Sequence, residues 1–362
     1  MVQDSASEPF RITLNEQQTA QAGLTYPLPR STFQTVLANL QSSGTISSDF
    51  ANSTINAHFP NPYSMQWMAG VAQNLPGNTV LEIDYIGNTG KNINQTETRN
   101  LPDRLTGVAP KPAYSEFRYY YSGDSSKYNG LQVTLNKALS HGFSYGVSYV
   151  WSKVLSYGEA NLLLQDSPQD NDNIHAEYGL APFDVRNRFV ANGLWTLPLN
   201  QWTHTDGRAA GLLLGGWQVS GIFTGQTGLP INILNSSSSY PSDRPDPGTV
   251  SPYLSNYRKT LNYLNPAGFT QVQISPLSGA QIRGGLLGRD AIEQPGSINL
   301  DASLGKTFSI TERVKLQMKA DAFNSLNHTN LSGLVNDVSS GSFGQLTSAT
   351  ARTMQLTGRI TF

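Results

Sequence analysis

The chain has 362 residues, enough for one large domain or two ordinary ones, yet only 14% are charged and the formal net charge is −1. That balance offers no basic face for nucleic acid, and the absence of cysteine excludes disulfides and Cys-ligated zinc. Mean hydropathy is negative, and no apolar run reaches the ~18–20 residues a membrane helix needs, since Leu212–Leu214 is interrupted at Gly215. A bundle of membrane helices is thereby excluded. A membrane β-barrel is not, because its strands present apolar residues to lipid only at every second position. Abundant Gly, Asn, Ser, Thr and Tyr also suit strands and polar loops better than helices.

In chain order, the first residues (Met1 to Glu8) have neither the basic nor the apolar region of an export signal, so any such signal is expected upstream. Residues 1–60 read as one weak strand (Phe10, Ile12, Leu14) followed by a polar loop. From residue 61 to 362 the period is two. Less regular strands are predicted at Met65–Val71 and Thr79–Ile86, then regular ones at Leu131–Leu135 and Phe143–Trp151. Two more of the less regular kind follow, Arg188–Leu197 and Trp217–Ile233, the second of these taken as one long strand. Ile298–Leu304, Val314–Ala322 and Met354–Phe362 complete the set. Tight turns are expected at Leu75–Asn78, Ser140–Gly142 and Ser309–Glu312, where Pro-Gly and His-Gly pairs supply the backbone angles. Long polar loops are expected at Asn88–Asn129, Leu155–Asp184, Leu234–Gly296 and Asn324–Arg352, with an intermediate link at Pro198–Gly215. Short and long connections alternate, the asymmetry of an outer-membrane barrel. The expected fold is therefore all-β, a transmembrane antiparallel up-and-down barrel. Nine strands are an odd number, and an open edge cannot face lipid. Either a strand is missing from this count, or the strands are part of a larger barrel, of which the chain would be the back half.

Several ordered motifs resemble the barrel strands of Oar-like TonB-dependent receptors. They are Asn61–Trp67, Val80–Gly87, Tyr128–Leu135, Ser148–Lys153, Phe183–Phe189, Gly215–Gly221 and Asp321–His328, with the terminal Phe362. The resemblance covers residues 61–362. It implies the C-terminal portion of a 22-stranded barrel, preceded in the full protein by a carboxypeptidase-like β-sandwich and a plug. It also implies contact with outer-membrane lipid and the barrel assembly machinery, and with the TonB system only through that plug.

Catalytic chemistry finds little support. There is no G-x-S-x-G elbow and no H-E-x-x-H motif, and Gly123–Ser126 resembles a serine-nucleophile loop only superficially. His58, His141, His175, His204 and His328 share no ligand spacing and read as loop or turn residues. Asp166, Asp170 and Asp172 alternate as calcium ligands can, but without the glycine and final Glu of an EF-hand they read as a solvated acidic loop. No enzyme activity and no cofactor are expected.

Two functions remain. One is a receptor or transporter barrel that binds ligand at its long loops; the other is a secreted or surface-bound β-rich binding protein, an adhesin or carbohydrate-binding module. They differ in whether the apolar rows face outward or pack on a second sheet. For a barrel, Met354, Leu356, Ile360, Leu316, Met318, Tyr145 and Tyr149 should face lipid. Arg188, Asp301, Lys315, Lys319, Asp321 and Arg359, with Gln317 and Gln355, should line the lumen, while Phe362 serves as an assembly signal.

Overall fold

The computed structural model describes residues 53–362 except 113–115, 159–166, 205–206, 241 and 312. Nine long strands make one sheet: β1 (Tyr63–Leu75), β2 (Thr79–Arg99), β3 (Phe117–Ser140), β4 (Phe143–Ser156), β5 (Asn187–Leu197), β6 (Trp217–Gln226), β7 (Ser297–Ser309), β8 (Lys315–Phe323) and β9 (Thr353–Thr361). Each pairs antiparallel with the next in the chain. Each of the nine strands expected from the sequence has its counterpart here, the run at Trp217–Ile233 only as far as Gln226, and the meander they form is up-and-down.

The turns explain how the register is set. His141 and Gly142 both take positive φ (51° and 73°), as do Gly77 and Asn78 (76° and 57°). Such angles match the right-handed twist of the flanking strands, which is why Gly and Asn recur there. The β7–β8 turn is tied by Val314 N–H donating to the Thr311 hydroxyl oxygen at 2.9 Å.

Directly opposed residues share a face, so the pairings can be followed across the sheet. Val71 lies opposite Ile83, Ile83 opposite Val133, Val133 opposite Tyr149 and Tyr149 opposite Phe189. On the same face Ala191 meets Phe223, Phe223 meets Leu300, Leu304 meets Ala320 and Ala320 meets Leu356. One apolar face therefore spans all nine strands. It is bare: Val71, Met318 and Leu356 are 68%, 53% and 84% exposed. No second sheet packs on it among the described residues, which is the outcome expected of a barrel wall and not of a sandwich. Trp67 lies flat over the Gly87 backbone, where an added Cβ would sit 2.0 Å from its ring. Glycine at that point lets an aromatic ring fill the wall.

The sheet does not close on itself. Its hydrogen-bonded path ends at β1 and β9, and no pairing joins them among the described residues.

The structure departs from two expectations, the loop at Asn88–Asn129 and the long strand at Trp217–Ile233. The loop expected at Asn88–Asn129 shrinks to residues 100–116, because β2 and β3 run on past the alternating region with register shifts between Gly90 and Asn94. Gly123–Ser126 therefore lies inside β3. The long strand at Trp217–Ile233 breaks after Gln226; Gly228 approaches Gln294 too closely for any side chain, and Pro230–Ile231 pair with Ile292–Glu293 in a separate ribbon. The Pro198–Gly215 link contains two short helices, α1 (Leu199–Trp202) and α2 (Arg208–Leu214). The long loops carry short elements of their own. Of the reading of residues 1–60, residues 1–52 lie outside the described region; Ser53–Ile55 pairs in parallel with Arg118–Tyr120.

Nearly all the buried apolar side chains sit in those loops. Ile233, Leu264, Phe269, Ile292, Leu331, Leu334 and Leu346 form one cluster contributed by segments 227–296 and 324–352. Each such burial is worth about 1.5–3 kcal/mol relative to exposure, enough to hold a loop assembly as a folded cap.

Candidate functional site

The cap lies at the end of the sheet opposite the tight turns, and its second half is held by charge. Arg244 and Glu177, both almost fully buried, form a two-pronged pair at 2.7 and 2.9 Å. Arg104 grips Asp243 the same way, at 2.8 and 2.7 Å, and stacks on the Tyr240 ring at 3.9 Å. Gln169 links the two pairs. Its N–H donates to Glu177, its carbonyl accepts from Arg104, and its side-chain oxygen accepts from Arg244 N–H and Gly285 N–H. Three loops, 100–116, 157–186 and 227–296, are thus joined through buried, hydrogen-bonded charges, the arrangement in which such charges are tolerated. None of these residues is marked by the sequence, because their partners come from loops far apart in the chain.

Against this network opens a cleft of about 780 Å³, bordered by Glu97, Arg99, Lys111, Asp172, Tyr240 and Arg283. Both signs of charge line it. Arg99 pairs with Glu97 and lies 3.5 Å over the Tyr119 ring, which itself stacks on Tyr121. Arg283 holds Asp246 at 2.9 and 2.6 Å, and Leu286 N–H donates to the same carboxylate at 2.9 Å. The cleft suits a polar ligand carrying hydrogen-bonding groups.

The Arg283 guanidinium, helped by the Leu286 N–H, holds the Asp246 carboxyl below the ordinary aspartate value of 3.8 despite partial burial. A depressed carboxylate stabilises the fold above its ordinary value, and that contribution is lost as pH falls through the lowered one. Hydrogen-exchange protection at Leu286, corrected for intrinsic rate, should therefore fall on acidification below pH 3.8. In Asp246→Asn it should be weaker at neutral pH and flat across that window. An acid-dependent loss persisting in the variant would contradict this assignment.

The charged wall residues are placed as follows. Arg188, Asp301, Lys315, Lys319, Asp321 and Arg359 share the face opposite the apolar one, as do Gln317 and Gln355. Met354, Leu356, Ile360, Leu316, Met318, Tyr145 and Tyr149 fall on the apolar face. Lys319 pairs with Asp321 at 2.7 Å, and Asp301 accepts from Asn324 N–H at 2.9 Å. These charges lie along the wall and do not converge with the cleft. Asp124, from Gly123–Ser126, is buried and accepts from Tyr157 N–H at 2.9 Å. Asp170 accepts from Asp172 N–H in a local turn, while Asp166 lies outside the described residues. Among the described residues no three His, Asp or Glu side chains gather as a metal site would require. His175 meets the Tyr157 hydroxyl and His328 meets Asn330, each singly.

The motifs of the sequence have structural work at the rim. Asn324 takes φ 52°, accepts from His328 N–H and donates to the His328 carbonyl, so Asp321–His328 turns β8 into the cap. Ser325 fastens this turn to Leu300 of β7. Asp184 accepts from Val154 N–H at 2.5 Å, and Ser152 donates to the Val185 carbonyl, returning the 157–186 loop to β4.

Against known proteins, no curated protein matches the sequence. Among solved structures, the outer membrane transporter YddB from Escherichia coli is similar over 86% of this chain and 34% of its own, with 13% identity and a TM-score of 0.50. BauA, the ferric preacinetobactin receptor from Acinetobacter baumannii, is similar over 83% of this chain and 29% of its own, with 10% identity and a TM-score of 0.41. The chain thus spans about a third of the length of the structures it matches, and the likeness is one of fold. The family profile described as outer membrane beta barrel domain matches residues 2–355. With its bare apolar face, opposite polar face and one-sided cap, the chain is an outer-membrane protein and belongs to the outer membrane beta barrel domain family.

Proposed function

We propose that the chain is the C-terminal part of a TonB-dependent receptor or transporter of the Oar-like kind, with no catalytic role. Residues 61–362 form its wall and cap. The observation that carries this reading is the joining of a one-faced wall to an ordered cap that borders an open polar cleft. In the full-length protein further strands complete a barrel of 22 strands, and a plug and export signal lie upstream. The bare edges at β1 and β9 support the first part, since lipid tolerates no unpaired backbone. The 24 residues of β3 far exceed the ~9–11 needed to cross the bilayer, so its upper part carries the cap above the membrane on the cell exterior. Arg188, Asp301, Lys315, Lys319, Asp321 and Arg359 then line the lumen against water or the plug.

The test is accumulation of labelled ferric siderophores, cobalamin and oligosaccharides by cells with and without the full-length protein, each with and without working TonB. One class should accumulate only when both are present, and Arg99→Ala should lower its uptake. Correctly inserted protein that moves none of them, or uptake indifferent to TonB, would overturn the reading.

Phe362 is 98% exposed on the apolar row beyond β9. Deleting it is expected to reduce sharply the amount of full-length receptor inserted by the assembly machinery. The molecules that do insert should bind ligand normally. Normal insertion with weakened binding would assign Phe362 to the site instead.

A further inference from the structure

The β5–β6 link is the only connection at the turn end of the described sheet that contains helices, and its contacts are one-sided. Trp202 of α1 packs edge-on against Trp195, ring centroids 5.6 Å apart, and Trp195 in turn meets Phe143 at 6.3 Å. At the other end of the link, the Leu213 carbonyl accepts from Trp217 Nε1 and from Lys306 Nζ, both at 3.0 Å. Lys306 also donates to the Gly215 carbonyl. Trp195, Phe143, Trp217 and Lys306 all lie on the apolar face by register. The link is therefore folded against the outside of the wall.

Lys306 is the telling residue. It is a charged side chain on the lipid-facing row, yet it is 4% exposed and its ammonium is taken up by carbonyls at the end of α2. A lysine there is tolerated because the link covers it, and the Trp217 and Phe308 rings lie 5.1 and 5.0 Å from its nitrogen. Meanwhile Trp202, Leu212 and Leu213 of the link are 55%, 40% and 64% exposed. Aromatic residues at a barrel's boundary sit at headgroup level, and short helices with apolar exposed sides lie in that plane.

We infer that the described parts of the β5–β6 link, residues 198–204 and 207–216, form an interfacial anchor, lying in the periplasmic leaflet with Trp202, Leu212 and Leu213 inserted among the phospholipids. The surface is continuous with the membrane-facing wall, which fixes phospholipid as its occupant. The inference rests on the outward orientation of that wall, and the test separates the two.

These 362 residues hold no cysteine, so single nitroxide labels can be placed in them within the full-length protein, any cysteine elsewhere in it being replaced by serine, and the protein reconstituted in phosphatidylethanolamine–phosphatidylglycerol bilayers. Leu213→Cys reports the link, Leu356→Cys the wall and Arg313→Cys a turn in water. The ratio of collisions with oxygen to those with a water-soluble nickel chelate should be several-fold higher at Leu213→Cys than at Arg313→Cys, and highest at Leu356→Cys. A low ratio at Leu213→Cys with a high one at Leu356→Cys overturns the anchor alone. Low ratios at both overturn the wall as well. Fluorescence quenching by phospholipids brominated near the headgroup checks the result without disturbing Leu213. Trp202→Phe should remove a quenchable component, and unchanged quenching would contradict the anchor.

Discussion

Replacing Arg244 with methionine is expected to destabilise the cap by about 3–5 kcal/mol, the penalty for leaving a buried charge without its partner. Glu177 would retain only the Gln169 N–H among the donors it has now. Because the network joins three loops, the damage should spread to residues 100–112 and 283–286, which do not touch Arg244's guanidinium. Hydrogen exchange on the full-length protein in detergent should show these segments deprotected while β4–β7 remain protected. The double variant Arg244→Met/Glu177→Leu should recover much of the loss, since it removes both charges together. If the single variant left exchange in the cap unchanged, the pair would not be what holds the loops.

Charge placed on the wall should act by face. Val147 lies mid-strand on the apolar face, opposite Leu135 and Ala191. Arginine there is expected to cost about 2–4 kcal/mol at the bilayer midplane and to lower the inserted yield accordingly. Arginine at the neighbouring Ser148, opposite Thr134 and Val190 on the other face, should insert at close to the normal level. Heat-modifiable migration of the full-length protein on gels measures both. Equal loss at the two positions would mean the faces are not lipid and lumen.

The wall was legible in the sequence because period two is a local property. Phe143, Tyr145, Val147, Tyr149 and Trp151 needed no partner to announce a strand with one apolar side. His141–Gly142 likewise carried its turn in two residues, both at positive φ. Alternation failed where both sides of a strand are polar. The upper parts of β2 and β3, including Thr96, Tyr119 and Tyr121, pair regularly yet show no apolar row, so they read as loop. It failed again at Gly228 and Pro230, where an apolar run continues past a break made by close backbone approach.

The cap was opaque for a different reason. Arg104 meets Asp243 and Gln281 across 139 and 177 positions, and Gln169 meets Gly285 across 116. Nothing in the neighbourhood of any one of them marks it. The same holds for Ile233, Leu264 and Leu346, isolated apolar residues in polar stretches that meet only when the loops fold. The charged wall row was legible as a row, but its residues lie along the sheet and away from the cleft.

One face of this sheet meets lipid, and photolabelling tests that contact without altering the protein. Full-length protein in bilayers containing a phospholipid with a photoactivatable acyl chain is irradiated, and the adducts along β4 are mapped by mass spectrometry. Adducts are expected at Phe143, Tyr145, Val147, Tyr149 and Trp151, with Ser144, Gly146, Ser148 and Val150 spared. Labelling of both sets alike, or of neither, would mean that the apolar face of β4 is not a lipid-facing one.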